Sequence, residues 1–195
     1  WYFNTSNSNT GGTAISGATS ASYVPSTSTV TRFYYVVVSG TCGSAISNVS
    51  GAITISPTSV AGSIAGATTV CSGTNTTVLT LSGNSGTIQW QSSTDNITFT
   101  NIVSATTSTY TAINLTVTTY YRAVVTSGVC SSATTTASSV TVSPTSVAGN
   151  IAGATTVCSG TNATVLTLSG NIGAIQWQSS IDNVTFTNIA SATAS

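Results

Sequence analysis

The sequence predicts an all-β protein made of antiparallel sandwich modules set in tandem. Three observations predict it. Apolar and polar residues alternate with period two in run after run, clusters of Gly, Asn and Ser interrupt the runs, and a long stretch is written twice. Strict alternation belongs to a strand with one buried and one solvated face. Many short runs divided by turn chemistry point to a sandwich rather than to alternating helices and strands.

Within residues 57–143 each element has its own signal. Strands are expected near 64–70, 76–82, 87–92, 98–102, 109–112, 119–126 and 137–142. Leu79 and Leu81 alternate with Val78 and Thr80, Ile88 and Trp90 with Gln89 and Gln91, and Tyr121, Ala123 and Val125 with Tyr120, Arg122 and Val124. The remaining runs are rich in Thr and Val, which favour strand over helix. Turn chemistry falls between them at SGT (72–74), SGNSG (82–86), STDN (93–96) and TSG (126–128). Trp90 is expected to face the opposite sheet.

The repeat sets the organisation. Aligning 57–108 with 144–195, a shift of 87 residues, leaves 44 of 52 positions identical, with Cys71 on Cys158, Trp90 on Trp177 and Asp95 on Asp182. The front of the chain echoes the same plan more loosely, 16–45 following 104–133, with Trp1 in the place of Trp90. The expected layout is the later part of one module (1–56), a complete module (57–143) and the earlier part of a third (144–195).

Composition narrows the function. With 40% apolar residues and fourteen aromatics among 195 residues, the chain can build packed cores. Its charged fraction is 2%, against roughly 25% in an average soluble domain. Arg32, Asp95, Arg122 and Asp182 are the whole charged inventory. Hydration by Ser, Thr, Asn and amide groups is little affected by ionic strength, which suits a surface exposed to changing salt. Zero net charge and two arginines cannot neutralise a phosphate backbone, so nucleic acid is not an expected partner. No polybasic run addresses an anionic membrane. No apolar run approaches the roughly 20 residues of a spanning helix, so no membrane insertion is expected. Without an initiator Met or a charged leader segment, the chain is expected to begin inside a longer protein.

The runs TTVCSGTNTTVLTLSG, IQWQSSTDNITFTNI and STYTAINLTVTTYYRAVVTSGVCSSA together carry a family resemblance. They resemble the Ig-like repeat domains found in tandem in large secreted or surface proteins of gliding and related Bacteroidota. They are similar in particular to repeats of giant gliding-motility adhesins, which leave the cell by type 9 secretion. The resemblance covers 57–143 and parts of both flanks. It implies an extracellular, cell-surface stalk or adhesive array. Neighbouring repeats of the same chain are the expected partners, with surface polysaccharide or other adhesin chains as alternatives.

The cysteines depart from the antibody pattern, in which the bridging pair lies mid-strand on the second and sixth strands. Leu81 and Ala123 hold those places here. Cys71 precedes the turn at 72–74 and Cys130 follows the turn at 126–128, with Cys42 and Cys158 as their counterparts in the flanking modules, whose partners lie outside the sequence. Three readings are open. A Cys71–Cys130 bridge inside the module is the simplest, and would contribute about 2–4 kcal/mol. It requires the first strand to kink toward Cys130, because the two turns otherwise lie at opposite ends. Alternatively Cys71 meets the corresponding cysteine of the next module, or the thiols stay free.

Catalysis is not expected. Asp95 and Asp182 are equivalent positions in successive modules, so they cannot act as a carboxylate pair. No His, Lys or Glu is present to activate a Ser or Thr nucleophile. No CxxC spacing accompanies the cysteines, and one Asp per module is a poor calcium site, so no metal or cofactor is expected. Asp95 and Arg122 are placed at the same end of one sheet, either paired or separately solvated. Core packing claims Trp90, Trp177, Tyr110 and Tyr121. Gln89, Gln91, Tyr34, Tyr120 and Arg122 are expected on the outer face and are the candidate contact residues. The N-x-S/T matches at Asn48, Asn75, Asn96, Asn114, Asn162 and Asn183 are those expected by chance in so Asn- and Thr-rich a chain. The functional expectation is a structural stalk of an adhesin. A polysaccharide-binding module and a self-assembling filament stand as alternatives.

Overall fold

The computed structural model describes residues 1–26 and 28–194. All strands and no helix appear among them. At the front, β1 (Tyr2–Asn4), β2 (Thr13–Ala14) and β3 (Phe33–Tyr35) form an antiparallel sheet in the order β2-β1-β3. A hairpin of β4 (Val37–Gly40) and β5 (Gly43–Ile46) follows.

The middle of the chain is a two-sheet sandwich. One sheet is β11 (Thr109–Ile113), β8 (Thr76–Ser82) and β6 (Ser63–Ala65), in that order. The other runs β10 (Thr100–Asn101), β9 (Thr87–Ser93), β12 (Thr119–Thr126), β14 (Ser138–Ser143) and β7 (Thr69–Cys71), with β13 (Ala133–Thr134) also paired to β12. All pairings are antiparallel except β14 with β7. Behind it, β15 (Asn150–Ala152) pairs with β16 (Thr167–Ser169), and β17 (Gln178–Ser179) with β18 (Thr187–Asn188).

Both sheets contribute to one core. Leu79 and Leu81 of β8 and Ala112 of β11 meet Trp90 of β9, Tyr121, Ala123 and Val125 of β12, and Val140 of β14. Trp90, at 0% exposure, is the largest of these. Its indole Nε1 donates to the Thr107 carbonyl at 2.8 Å, so burial leaves no orphaned donor. Burial alternates residue by residue along β8 and β12, as the sequence pattern requires.

The expected strand over 64–70 is corrected: it is two strands in two sheets. Gly66 sits between them at φ 95°, and a Cβ there would collide with the Val78 carbonyl. Only glycine allows so close a crossing. The chain leaves β8 after Ala65, crosses to the other sheet, and runs parallel to β14 as β7. The strand expected over 98–102 shortens to β10.

Ser59 Oγ accepts from the Ser127 N–H at 2.9 Å, beside the end of β12. Ser143 closes β14 beyond Thr119, where β12 begins, because Thr119 pairs with Val140. The chain therefore enters the middle module at one pole and leaves at the other.

The front of the chain repeats the aromatic core. Trp1, Tyr23 and Tyr34 have centroid spacings of 6.0 and 5.9 Å, and Trp90, Tyr110 and Tyr121 have 6.0 and 5.4 Å. Tyr34, expected on the outer face, is instead buried at 5% exposure. The cause is a shift of one. From Tyr34 to Cys42 is eight residues, whereas from Tyr121 to Cys130 is nine. Matching the cysteines therefore misplaces the preceding strand by one residue, which exchanges its faces.

Candidate functional site

The outer face of the β10-β9-β12 sheet collects most of the sequence-predicted contact residues. Gln91 and Arg122 are register partners on β9 and β12. Arg122 Nε donates to Gln91 Oε1 at 2.7 Å, and Gln91 Nε2 donates to Asn101 Oδ1 at 2.8 Å. The Arg122 guanidinium lies 4.0 Å from the centroid of the Phe99 ring, within cation–π range. These contacts form a ladder across three strands, half-buried at Gln91, Phe99 and Arg122 and exposed at Asn101. Tyr120 sits one step along the same face, opposite Ser93. Gln89 is less available than expected, because its Nε2 donates to the Trp90 and Ile102 carbonyls at 2.9 and 2.8 Å.

Sequence reasoning missed Phe99 and Asn101. Their signal was present: the two are separated by one residue in TFTN, so they share a face, and a following strand carries that face beside Gln91. Tyr34 does not join such a ladder. Its neighbour Tyr35 takes the position equivalent to Arg122, stacked on Tyr2 with centroids 5.1 Å apart.

Asp95 and Arg122 are not partners. Asp95 Oδ1 accepts from Ser93 Oγ at 2.6 Å and from the Ile97 and Thr98 amides at 2.9 and 2.8 Å. The Ser93 hydroxyl first, then these two amides, hold its carboxyl well below the usual carboxylate range. The turn continues through Asn96 at φ 58°, a conformation Asn tolerates better than most residues. Asp182 repeats the arrangement with Thr185, Val184 and Ser180, and its carboxyl falls to about 2. A shallow depression of about 320 Å³ beside the Asp95 turn is walled by Ser92, Thr94, Asp95 and Thr98.

Cys71 and Cys130 are unbridged and occupy opposite poles. Cys71 ends β7 beside Ser143, whereas Cys130 Sγ lies 3.6 Å from the Ser56 carbonyl oxygen. The first strand does kink, but Gly66 sends it along β14 and away from Cys130. Cys42 and Cys158 are also free thiols. Asn75 closes the Cys71 pole: its Nδ2 reaches the Cys71, Gly73 and Leu115 carbonyls, and its Oδ1 accepts from the Leu115 amide. No group of three or more His, Cys, Asp or Glu capable of holding a metal occurs among the described residues.

The family model for a domain of unknown function (DUF8696) matches residues 1–57, 60–144 and 147–195. The chain belongs to that family. The second matched stretch spans β6 through β14. No curated protein matches the chain. The ladder of Phe99, Arg122, Gln91 and Asn101, the Asp95 turn and the Asn75 cap are thus features of a DUF8696 module.

Proposed function

We propose that the chain is a segment of an extracellular stalk, in which tandem Ig-like sandwiches hold adhesive groups away from a cell surface. The observation that carries this reading is polar connectivity: the chain enters the middle module beside Ser127 and leaves beside Cys71. Modules joined in this way add length instead of folding back. The linker SPTSVAG is short and contains proline, so it transmits direction from one module to the next. An almost uncharged surface supports work in variable salt. The family resemblance adds export to the surface, of the kind served by type 9 secretion, and a part in gliding motility. In this reading the repeats are mechanical and not enzymatic. Small-angle scattering on chains carrying one, two and three copies of 57–143 tests it. The maximum dimension should grow by at least about 26 Å per copy, the length of an eight-residue strand such as β12 at about 3.3 Å per residue. A compact, non-growing particle would refute it.

A second reading is favoured by the Arg122–Phe99 stack. A fixed guanidinium on an aromatic ring, flanked by Gln91 and Tyr120, can meet the hydroxyls and apolar face of a sugar. A glycan array probed with the whole chain, beside Arg122→Ala, tests this polysaccharide-binding role.

A further inference from the structure

The repeat gives one residue two neighbours. At the pole where the middle module begins, Cys130 Sγ lies 3.6 Å from the Ser56 carbonyl oxygen. Ser56 opens SPTSVAG at 56–62, which returns at 143–149, so Ser143 is the same position one module later. The chain takes the same path after both serines, with Val60 bridged to Ser85 and Val147 to Ile172, each antiparallel. At the far pole Ser143 is the strand partner of Cys71, and its carbonyl accepts from the Ser72 amide at 2.8 Å. That carbonyl therefore points toward the strand carrying Cys71. A following module would rest its own Cys130-position thiol against the same carbonyl.

We propose that a disulfide joins the Cys71 position of each module to the Cys130 position of the next, one bond across every junction. The inference rests on the tandem-stalk reading. Adjacent strands are about 4.8 Å apart, which sets Cys71 beside Ser143. The following thiol would lie 3.6 Å from the Ser143 carbonyl oxygen by analogy with Cys130 on Ser56. Both cysteines therefore meet at one backbone group, the proximity that a disulfide's Cα span of about 4.4–6.8 Å requires. Inside one module the same two cysteines are separated by the length of β12, beyond any disulfide. Cys71 is exposed and Cys130 half-buried, so an external oxidant reaches the first thiol. The oxidant is a small-molecule or protein disulfide. The Cys71 thiolate attacks it, forming a mixed disulfide and releasing one thiol. The next module's thiolate then displaces the second thiol, and the two protons lost by the cysteines end on the released pair. Such a bond fixes the angle between modules and turns a string of sandwiches into a stiff rod.

The test uses the whole chain with 57–143 duplicated in line after Ser143, oxidised with glutathione disulfide and digested with trypsin without reduction. Cleavage follows Arg32 and each Arg122. The peptide holding Cys42 and the first Cys71 should be linked to the last peptide, which holds the second Cys130 and Cys158. Cys71→Ser in the first copy should abolish that link. A link between the peptide holding the first Cys71 and the one holding the first Cys130 would overturn the proposal. So would free thiols in a chain whose near-ultraviolet circular dichroism shows packed aromatics. The scattering increment per module is read on the same sample, so a rod without the bond would refute the junction disulfide and leave the stalk standing.

Discussion

Trp90 is the residue on which the module's stability most depends. Replacing Trp90 with Ala removes the largest buried side chain and should cost about 3–5 kcal/mol, a large share of the about 5–15 kcal/mol available to a domain. Urea denaturation followed by far-ultraviolet circular dichroism checks it. Two titrations act at the same scale. The Asp182 carboxyl falls from 3.8 to about 2, and Asp95 is lowered in the same direction. A depressed folded value contributes stability that is present above pH about 3.8 and lost as pH falls toward about 2. The thermal midpoint should therefore drop over that window, and Asp95→Asn together with Asp182→Asn should flatten the drop. Tyr121 moves the other way. Burial, and then the charge on Tyr110, pushes its phenol up to about 12. Its contribution is complete below pH about 10 and is lost as pH rises through about 12. Tyr121→Phe should therefore reduce alkaline unfolding across that window.

At the scale of elements, Gly66 decides the topology. Gly66→Ala places a side chain at φ 95° against the Val78 carbonyl and should cost about 2 kcal/mol or more. The effect should show first as faster amide exchange in β7 and the facing edge of β14. Period-two alternation made β8, β9 and β12 legible in the sequence, because burial on one face is written into each strand. The split of the first strand was not legible. A lone glycine between strand residues marks a possible bend, but only the approach of Val78 shows that the chain changes sheets there. Tyr34 illustrates a second limit. The echo of 104–133 in 16–45 implies its strand, but parity depends on counting from the right anchor, and the front turn is one residue shorter than its counterpart.

For the whole molecule, the placement of module ends at opposite poles makes length the measurable output. With 2% charged residues, the scattering profile and thermal midpoint at neutral pH should change little between about 0.01 and 1 M salt, a range over which the Debye length shrinks from about 30 to 3 Å. A large shift of either with salt would contradict an uncharged mode of solvation. The candidate contact face was half legible at this scale. Gln91, Tyr120 and Arg122 could be assigned outward from alternation, but Phe99 and Asn101 reach them only because β10 pairs beside β9.

The sequence by itself determined the all-β class, the face of each long strand, the buried Trp90 and the near absence of charge, because composition and period two are local properties. Only the tertiary structure decided that Cys71 and Cys130 lie at opposite poles, that Asp95 serves its own turn instead of Arg122, and that Tyr34 points inward. Each of these depends on which distant strand lies alongside, on its register and on its direction, and no run of neighbouring residues encodes those.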